Sequence, residues 1–163
     1  MERMKHYRVG YGTDLHRLEP NGRPLVLGGV LVEHPKGFGP VAHSDGDVLL
    51  HAVIDALLGA ACMGDIGTHF PDSDPRWKDA DSSELLELAL AMTNLHICNV
   101  DIVINCDRPK IGPYRNEIAS NVSRLLGMVS GGVNIKAKSF EGLPLQGGVE
   151  AIYVQAVLLA QLA

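Results

Sequence analysis

Residues 42–51 read Ala-His-Ser-Asp-Gly-Asp-Val-Leu-Leu-His, a run in which two imidazoles, two carboxylates and a hydroxyl crowd together. The same run opens the longest apolar segment of the chain, continuing through Val53, Ile54, Ala56, Leu57 and Leu58 to Ala61. Ser44 or Asp45 is a natural cap for a helix beginning there, and negative charge suits the partial positive charge of its first turn. On that helix Asp47, His51 and Asp55 fall four residues apart and share one edge. A polar edge on an otherwise apolar helix costs free energy unless something pairs with it, so the edge marks a candidate site.

A second pair lies upstream. Asp14 and His16 follow a predicted strand at residues 7–12, and in extended chain they point to the same face. Such a pair either holds a metal or forms a buried hydrogen bond. Together Asp14, His16 and His51 offer three N/O ligands from a strand end and a helix. Three protein ligands with one open position is the arrangement of a catalytic metal, most often zinc, whereas a structural zinc is closed by four ligands and richer in cysteine. The loop at residues 64–75 is dense in carboxylates and glycine. Its Asp65 and Asp72 either serve the loop backbone or face sugar-like hydroxyls or a cation, with free N–H groups near Gly67 beside them. Arg108 and Lys110 are either anion ligands or solvated surface charges.

The elements that must position these groups follow from periodicity and punctuation. Strands are expected at residues 7–12, 25–27 and 30–32, the last two broken by Gly28-Gly29, after a turn at 21–24. Residues 33–41 read as a loop, and Gly64 as the C-terminal stop of the first helix. Asp81-Ser82-Ser83-Glu84 starts a second helix with a capping-box pattern, its core face carrying Leu85, Leu86, Leu88, Ala89 and Met92. Alternation predicts a strand at 97–105 with Val100, Ile102 and Ile104 on one side. Pro113 suits the first turn of a third helix over 114–126, ended by Gly127. Strands at 133–140 and 152–159 flank a turn at 143–148. The order β-β-β-α-α-β-α-β-β implies an α+β domain, helices covering one face of a mixed sheet.

Composition sets the bounds. A chain of 163 residues, 46% hydrophobic and 20% charged, fits one domain spanning 1–163 with a real core. A formal net charge of -5 argues against general nucleic-acid binding. Cys62, Cys98 and Cys106 form an odd set without CxxC spacing, expected as reduced residues in a cytosolic setting. With no signal peptide and no apolar run long enough to span a bilayer, a soluble, cytoplasmic protein without membrane partners is expected.

At this point the motifs carry a family resemblance. Gly12-Thr13-Asp14-Leu15-His16, residues 42–51, Asp55-Ala56-Leu57-Leu58-Gly59, Gly64-Asp65-Ile66-Gly67 and Phe70-Pro71-Asp72-Ser73-Asp74 closely resemble the 2-C-methyl-D-erythritol 2,4-cyclodiphosphate synthase family. The likeness keeps order and spacing through Glu141. It implies a ferredoxin-like α+β protomer in a homotrimer, with active sites at subunit interfaces. The implied reaction belongs to the non-mevalonate route to isoprenoid precursors. The 2-phosphate of 4-diphosphocytidyl-2-C-methyl-D-erythritol 2-phosphate attacks the β-phosphorus and releases CMP. The resemblance assigns zinc to Asp14, His16 and His51, and a second cation, Mg²⁺ or Mn²⁺, to Glu141. It gives His43 transition-state stabilisation and Ser44 a phosphate. Asp65, Ile66, Gly67, Phe70, Asp72 and Asp74 would hold ribose and methylerythritol hydroxyls. Cys106, Pro109, Lys110, Ile111 and Gly112 would receive cytosine, and Ser139 the phosphates.

The resemblance loosens near the C-terminus. Lys138-Ser139-Phe140-Glu141 stands where the family shows Thr-Thr-x-Glu, placing a flexible cation, Lys138, beside the phosphates. Leu145 and Gly148 stand where an aromatic residue and an arginine are usual. Two other readings follow. A divergent member would bind metal and phosphate or nucleotide without cyclising. A zinc hydrolase would use Asp47 or Asp55 as general base on metal-bound water. A plastid form with its transit peptide removed would read the same as a cytoplasmic one.

Overall fold

Alternating burial along two long strands builds the centre of the molecule. The computed structural model describes residues 6–20, 22–129, 131–143 and 150–163. β1 (Tyr7–Pro20) runs antiparallel to β7 (Ala151–Leu162), in register from Tyr7 opposite Gln161 to Arg17 opposite Ala151. Beyond β7 come β5 (Leu95–Asn105), antiparallel to it, and β6 (Val133–Lys138), parallel to β5. A three-residue strand, β4 (Phe38–Pro40), covers the outer edge of β1, so the mixed sheet runs β4-β1-β7-β5-β6. The crossover that makes β5 and β6 parallel is α4 (Arg115–Leu125), with Ile118 and Val122 buried.

One face of the sheet is closed by helices. Ile152, Val154, Ala156, Leu158 and Ala160 of β7 lie there fully buried, beside Val100, Ile102 and Ile104 of β5. α1 (Val48–Ala60) rests on this face over β1, so close that a Cβ at Gly10 would lie 1.7 Å from the Ala56 carbonyl oxygen. Two glycines on one face of a strand are thus what lets the helix touch the sheet backbone. The opposite face is open and apolar, with Val9 68% and Leu15 57% exposed beside Tyr11 and Val157.

The structure moves the helix cap. α1 is capped by Asp47, not by Ser44 or Asp45, and Asp47 therefore does not share a helical edge with His51 and Asp55. Its carboxylate is fully buried and accepts four backbone N–H groups. Leu49 and Leu50 donate from the helix, while Gly28 and Gly29 donate from the hairpin of β2 (Val26–Leu27) and β3 (Val30–Leu31). Gly28-Gly29 is thus a tight hairpin turn, both residues at positive φ (61° and 76°). Asp47→Ala should cost about 2 kcal/mol by stranding these donors, read from denaturant unfolding. Burial pushes this carboxyl up from 3.8 to about 6, against the pull of its N–H donors. The native state then holds the proton more tightly than the unfolded chain. The associated stability is fully present below 3.8 and is lost as pH rises through about 6. Asp47→Asn should flatten the unfolding free energy across that window.

Other expectations shift for physical reasons. The first strand extends to Pro20, because β7 supplies partners as far as Arg17 and β4 pairs with Leu18–Pro20. Residues 38–40, expected in a loop, pair with Leu18–Pro20. The first helix ends at Ala60 and is capped by Ala61, so that Cys62 (φ 58°) takes the left-handed position directly after the cap, two residues before Gly64 (φ 84°), and Met63 N–H reaches the Leu58 carbonyl. The 64–75 loop holds a one-turn helix, α2 (Ile66–His69), and a 3₁₀ turn at Pro75–Trp77 begins at its last residue. α3 (Ser82–Met92) starts where the Asp81 pattern predicts, with the Asp81 carboxylate accepting Ser83 N–H. The second and third predicted helices and the strands expected at 97–105 and 152–159 stand where predicted, while the strand expected over 133–140 stops at Lys138. Connectivity is βαβαββ around the four long strands, with one parallel pair. It therefore departs from the βαββαβ order of a ferredoxin-like protomer while keeping its layers of helix on sheet. Part of the predicted turn at 143–148, with Leu145 and Gly148, lies outside the described residues, as does Asn21. Cys62, Cys98 and Cys106 are free thiols.

Candidate metal centre

β1 and α1 bring the three predicted ligands together. Asp14 and His16 project from the helix-covered face of β1, and His51 stands one turn into α1 above them. Their donor atoms all lie within 4.8 Å of one another. Asp14 Oδ2 is 2.9 Å from His51 Nδ1 and 3.3 Å from His16 Nε2, and the two rings meet edge to face with centroids 5.6 Å apart. His16 Nε2 is buried and has no hydrogen-bond partner. A buried nitrogen without a partner costs free energy, and a cation among these atoms would relieve it. The donor set of two imidazoles and one carboxylate suits a borderline divalent metal.

Electrostatics at the cluster oppose one another. Burial lowers the His16 pKa, against the attraction of Asp14. At His51 burial also disfavours charge, but Asp14, Asp47 and Asp45 outweigh it and the net shift is upward. Asp55, half-buried, is raised by burial while its carboxylate accepts Ile66 N–H.

The cluster opens into a cavity of about 410 Å³. His43, Ser44, Ile66, Gly67, Phe70 and Asp72 line it. The His43 imidazole stands in the open, 3.7 Å from the Asp72 carboxylate. Asp65 and Asp74 are not among the lining residues. Asp65 caps α2 through Thr68, which holds its carboxyl below the usual range. Asp74 caps the 3₁₀ turn and pairs with Arg76, which does the same to it. Neither Asp47 nor Asp55 lines the cavity, and their carboxylates are engaged by backbone N–H groups, so the hydrolase reading loses its candidate bases.

The remaining predicted residues form a second group. Tracing register from Leu15 through Tyr153 and Asn105 leads to Lys138, three strand spacings or roughly 14 Å from β1. Lys138 shares the open sheet face with Leu15, opposite to Asp14 and His16. Just beyond it Ser139 Oγ bonds the Glu141 carboxylate, and Glu141 holds a left-handed backbone (φ 56°). The Asp107 carboxylate accepts Phe140 N–H, and the Lys138 carbonyl accepts Cys106 N–H, tying this segment to residues 106–112. Burial pushes the Cys106 thiol up to about 11. A cavity of about 720 Å³ adjoins this group, lined in part by Asp107, Arg108, Pro109, Lys110 and Gly142. Ile111 is buried beneath it and Gly112 opens a 3₁₀ turn.

Sequence reasoning missed two contributors. Trp77 lines the first cavity edge-on to Phe70, centroids 5.1 Å apart. Ser82, expected only inside a helix start, is fully buried with its hydroxyl 2.9 Å from His51 Nε2. Its place beside the cap residue Asp81 was visible; its contact with a residue 31 positions away was not.

The comparisons agree with this geometry. The YgbB family model matches residues 7–161. A 2-C-methyl-D-erythritol 2,4-cyclodiphosphate synthase from Desulfatibacillum aliphaticivorans is 50% identical over 153 residues, 92% of this chain and 97% of its own. A chloroplastic enzyme of the same name from Arabidopsis thaliana is 47% identical over 94% of this chain and 66% of its own. A solved structure of this synthase in its CDP-bound form superposes with a TM-score of 0.84 at 40% identity, covering 94% of this chain and 99% of that one. A half-buried Asp-His-His cluster between the first strand and first helix, on a chain that the family model matches over residues 7–161, places the protein in the YgbB family, among relatives named 2-C-methyl-D-erythritol 2,4-cyclodiphosphate synthase.

Proposed function

We propose that the chain converts 4-diphosphocytidyl-2-C-methyl-D-erythritol 2-phosphate to 2-C-methyl-D-erythritol 2,4-cyclodiphosphate and CMP, as a phosphorus–oxygen lyase of isoprenoid precursor synthesis. The Asp14–His16–His51 cluster at the floor of its cavity carries the reading. The substrate holds its own nucleophile, a phosphate, so the protein must position two phosphorus centres and offset their repulsion. Asp14, His16 and His51 would hold zinc, which when bound supplies Lewis-acid polarisation of a phosphate oxygen. Glu141, held in a left-handed conformation beside Ser139, would ligate Mg²⁺ or Mn²⁺.

The other roles follow from placement. His43, exposed at the cavity wall, stabilises charge that develops during transfer. Ser44 binds phosphate at the same wall. Ile66, Gly67, Phe70 and Asp72 seat the methylerythritol and ribose, with Asp65 and Asp74 shaping the loop that presents them. Cys106, Pro109, Lys110, Ile111 and Gly112 receive the cytosine, and Lys138 and Ser139 meet the phosphates. The names of CDP-bound relatives support a cytidine nucleotide ligand.

The apolar open face of the sheet supports a homotrimer, since Val9, Tyr11, Leu15 and Val157 need cover. The roughly 14 Å between the two residue groups, on opposite faces of the sheet, supports active sites shared across subunits. No helix among the described residues is long and apolar enough to cross a membrane. A cytoplasmic setting, or a plastid one as in the chloroplastic relative, fits this reading.

Purified protein incubated with the substrate and Mg²⁺ or Mn²⁺ should release CMP and cyclic diphosphate in equal amounts, followed by chromatography and phosphorus NMR. A linear bisphosphate would instead mean attack by water, and neither product would mean a binding protein.

A further inference from the structure

We propose that Ser82 and Asp45 are positioning residues that set the proton of His51, so that its Nδ1 faces the metal ligands with a free lone pair. The inference rests on the metal reading above. Three donors converge on the Asp45 carboxylate: the N–H groups of Asp47 (3.0 Å) and Ser82 (2.9 Å), and the Ser82 hydroxyl. A carboxylate can only accept, so the Ser82 hydrogen is committed to Asp45. That leaves Ser82 Oγ as an acceptor toward His51 Nε2, 2.9 Å away. His51 Nε2 must therefore carry a hydrogen, and Nδ1, beside Asp14 Oδ2 and facing His16, is the atom left to ligate.

Ser44 Oγ also lies 3.2 Å from His51 Nε2 and accepts Gly46 N–H. Its hydroxyl hydrogen is not tied to a carboxylate, so Ser44 can accept from His51 but does not enforce the direction. Only Ser82 does. The arrangement also has the burial such a relay needs, since Ser82 is fully enclosed and water cannot replace it. Outer partners of this kind align a ligating imidazole and raise its basicity, and losing one weakens metal binding about 10- to 100-fold.

The test uses the full chain labelled with ¹⁵N-histidine. Zinc is titrated against a competing chelator, and the histidine side-chain nitrogens are followed by NMR with and without zinc. The unsubstituted protein should show a slowly exchanging proton on His51 Nε2 in both states. Ser82→Ala should lose that proton signal and weaken zinc about 10- to 100-fold, with its metal-free unfolding midpoint little changed. Asp45→Asn, which removes the obligatory acceptor, should weaken zinc in the same direction. Ser82→Ala with unaltered zinc affinity and an unaltered Nε2 proton overturns the proposal. If the unsubstituted chain takes up no zinc, the metal reading fails, while the Nε2 proton and its response to Ser82→Ala still decide the relay.

Discussion

His16→Ala should lose bound metal and lower the rate of CMP release about a thousandfold or more, while the chain stays folded. Among the described residues His16 Nε2 is one of few buried polar side-chain atoms without a hydrogen-bond partner. Its removal therefore strands no donor and relieves a desolvated nitrogen, so little folding free energy is at stake. What it removes is a third of the ligand set. Asp14 Oδ2 and His51 Nδ1, 2.9 Å apart, then remain as only two donors, too few to hold the cation firmly. Zinc content by atomic emission and turnover by phosphorus NMR should fall together, with circular dichroism unchanged. Loss of activity with full zinc content would remove His16 from the ligand set.

Gly12→Ala should be the more damaging change for the molecule as a whole. An added Cβ would lie 2.1 Å from the Ala52 carbonyl oxygen, 2.5 Å from the Ala56 nitrogen and 2.8 Å from Asp55 Cβ. Two of these are backbone atoms of α1 and cannot swing aside, so the helix must lift from β1. Overpacking a core costs about 1–3 kcal/mol and more where backbone is struck, so about 3 kcal/mol is expected here. The same lift separates His51, one turn into α1, from Asp14, two residues along β1. The variant should thus lose stability in denaturant and metal affinity together. Normal zinc binding in a destabilised Gly12→Ala protein would show that the helix–strand contact and the ligand cluster are independent.

Much of this was legible in the sequence because it depends on local period. Asp14 and His16 share a face because strands repeat every two residues, and Val100, Ile102 and Ile104 declare their strand for the same reason. What escaped depends on partners far along the chain. Phe38-Gly39-Pro40 has a poor strand composition and becomes one because Leu18 to Pro20 offer it a free edge. Ser44 and Asp45 looked like caps, but the hairpin N–H groups of Gly28 and Gly29 select Asp47 instead. Asp65 and Asp74 carry the right chemistry for a sugar site, yet each lies one residue ahead of a short helix that claims its oxygens. Ser82 gave no signal beyond a helix start, since its worth comes from Asp45 and His51. The ordering of β6 and β7 after α4 likewise could not be read from element types alone.

Running the reaction in ¹⁸O-labelled water and weighing the products by mass spectrometry tests internal attack most directly. If the substrate's own 2-phosphate closes the ring, neither CMP nor the cyclic diphosphate gains label. A linear bisphosphate in place of the ring, with one ¹⁸O per turnover in it or in CMP, would mean that water is the nucleophile, and the cavity above Asp14, His16 and His51 would be that of a hydrolase.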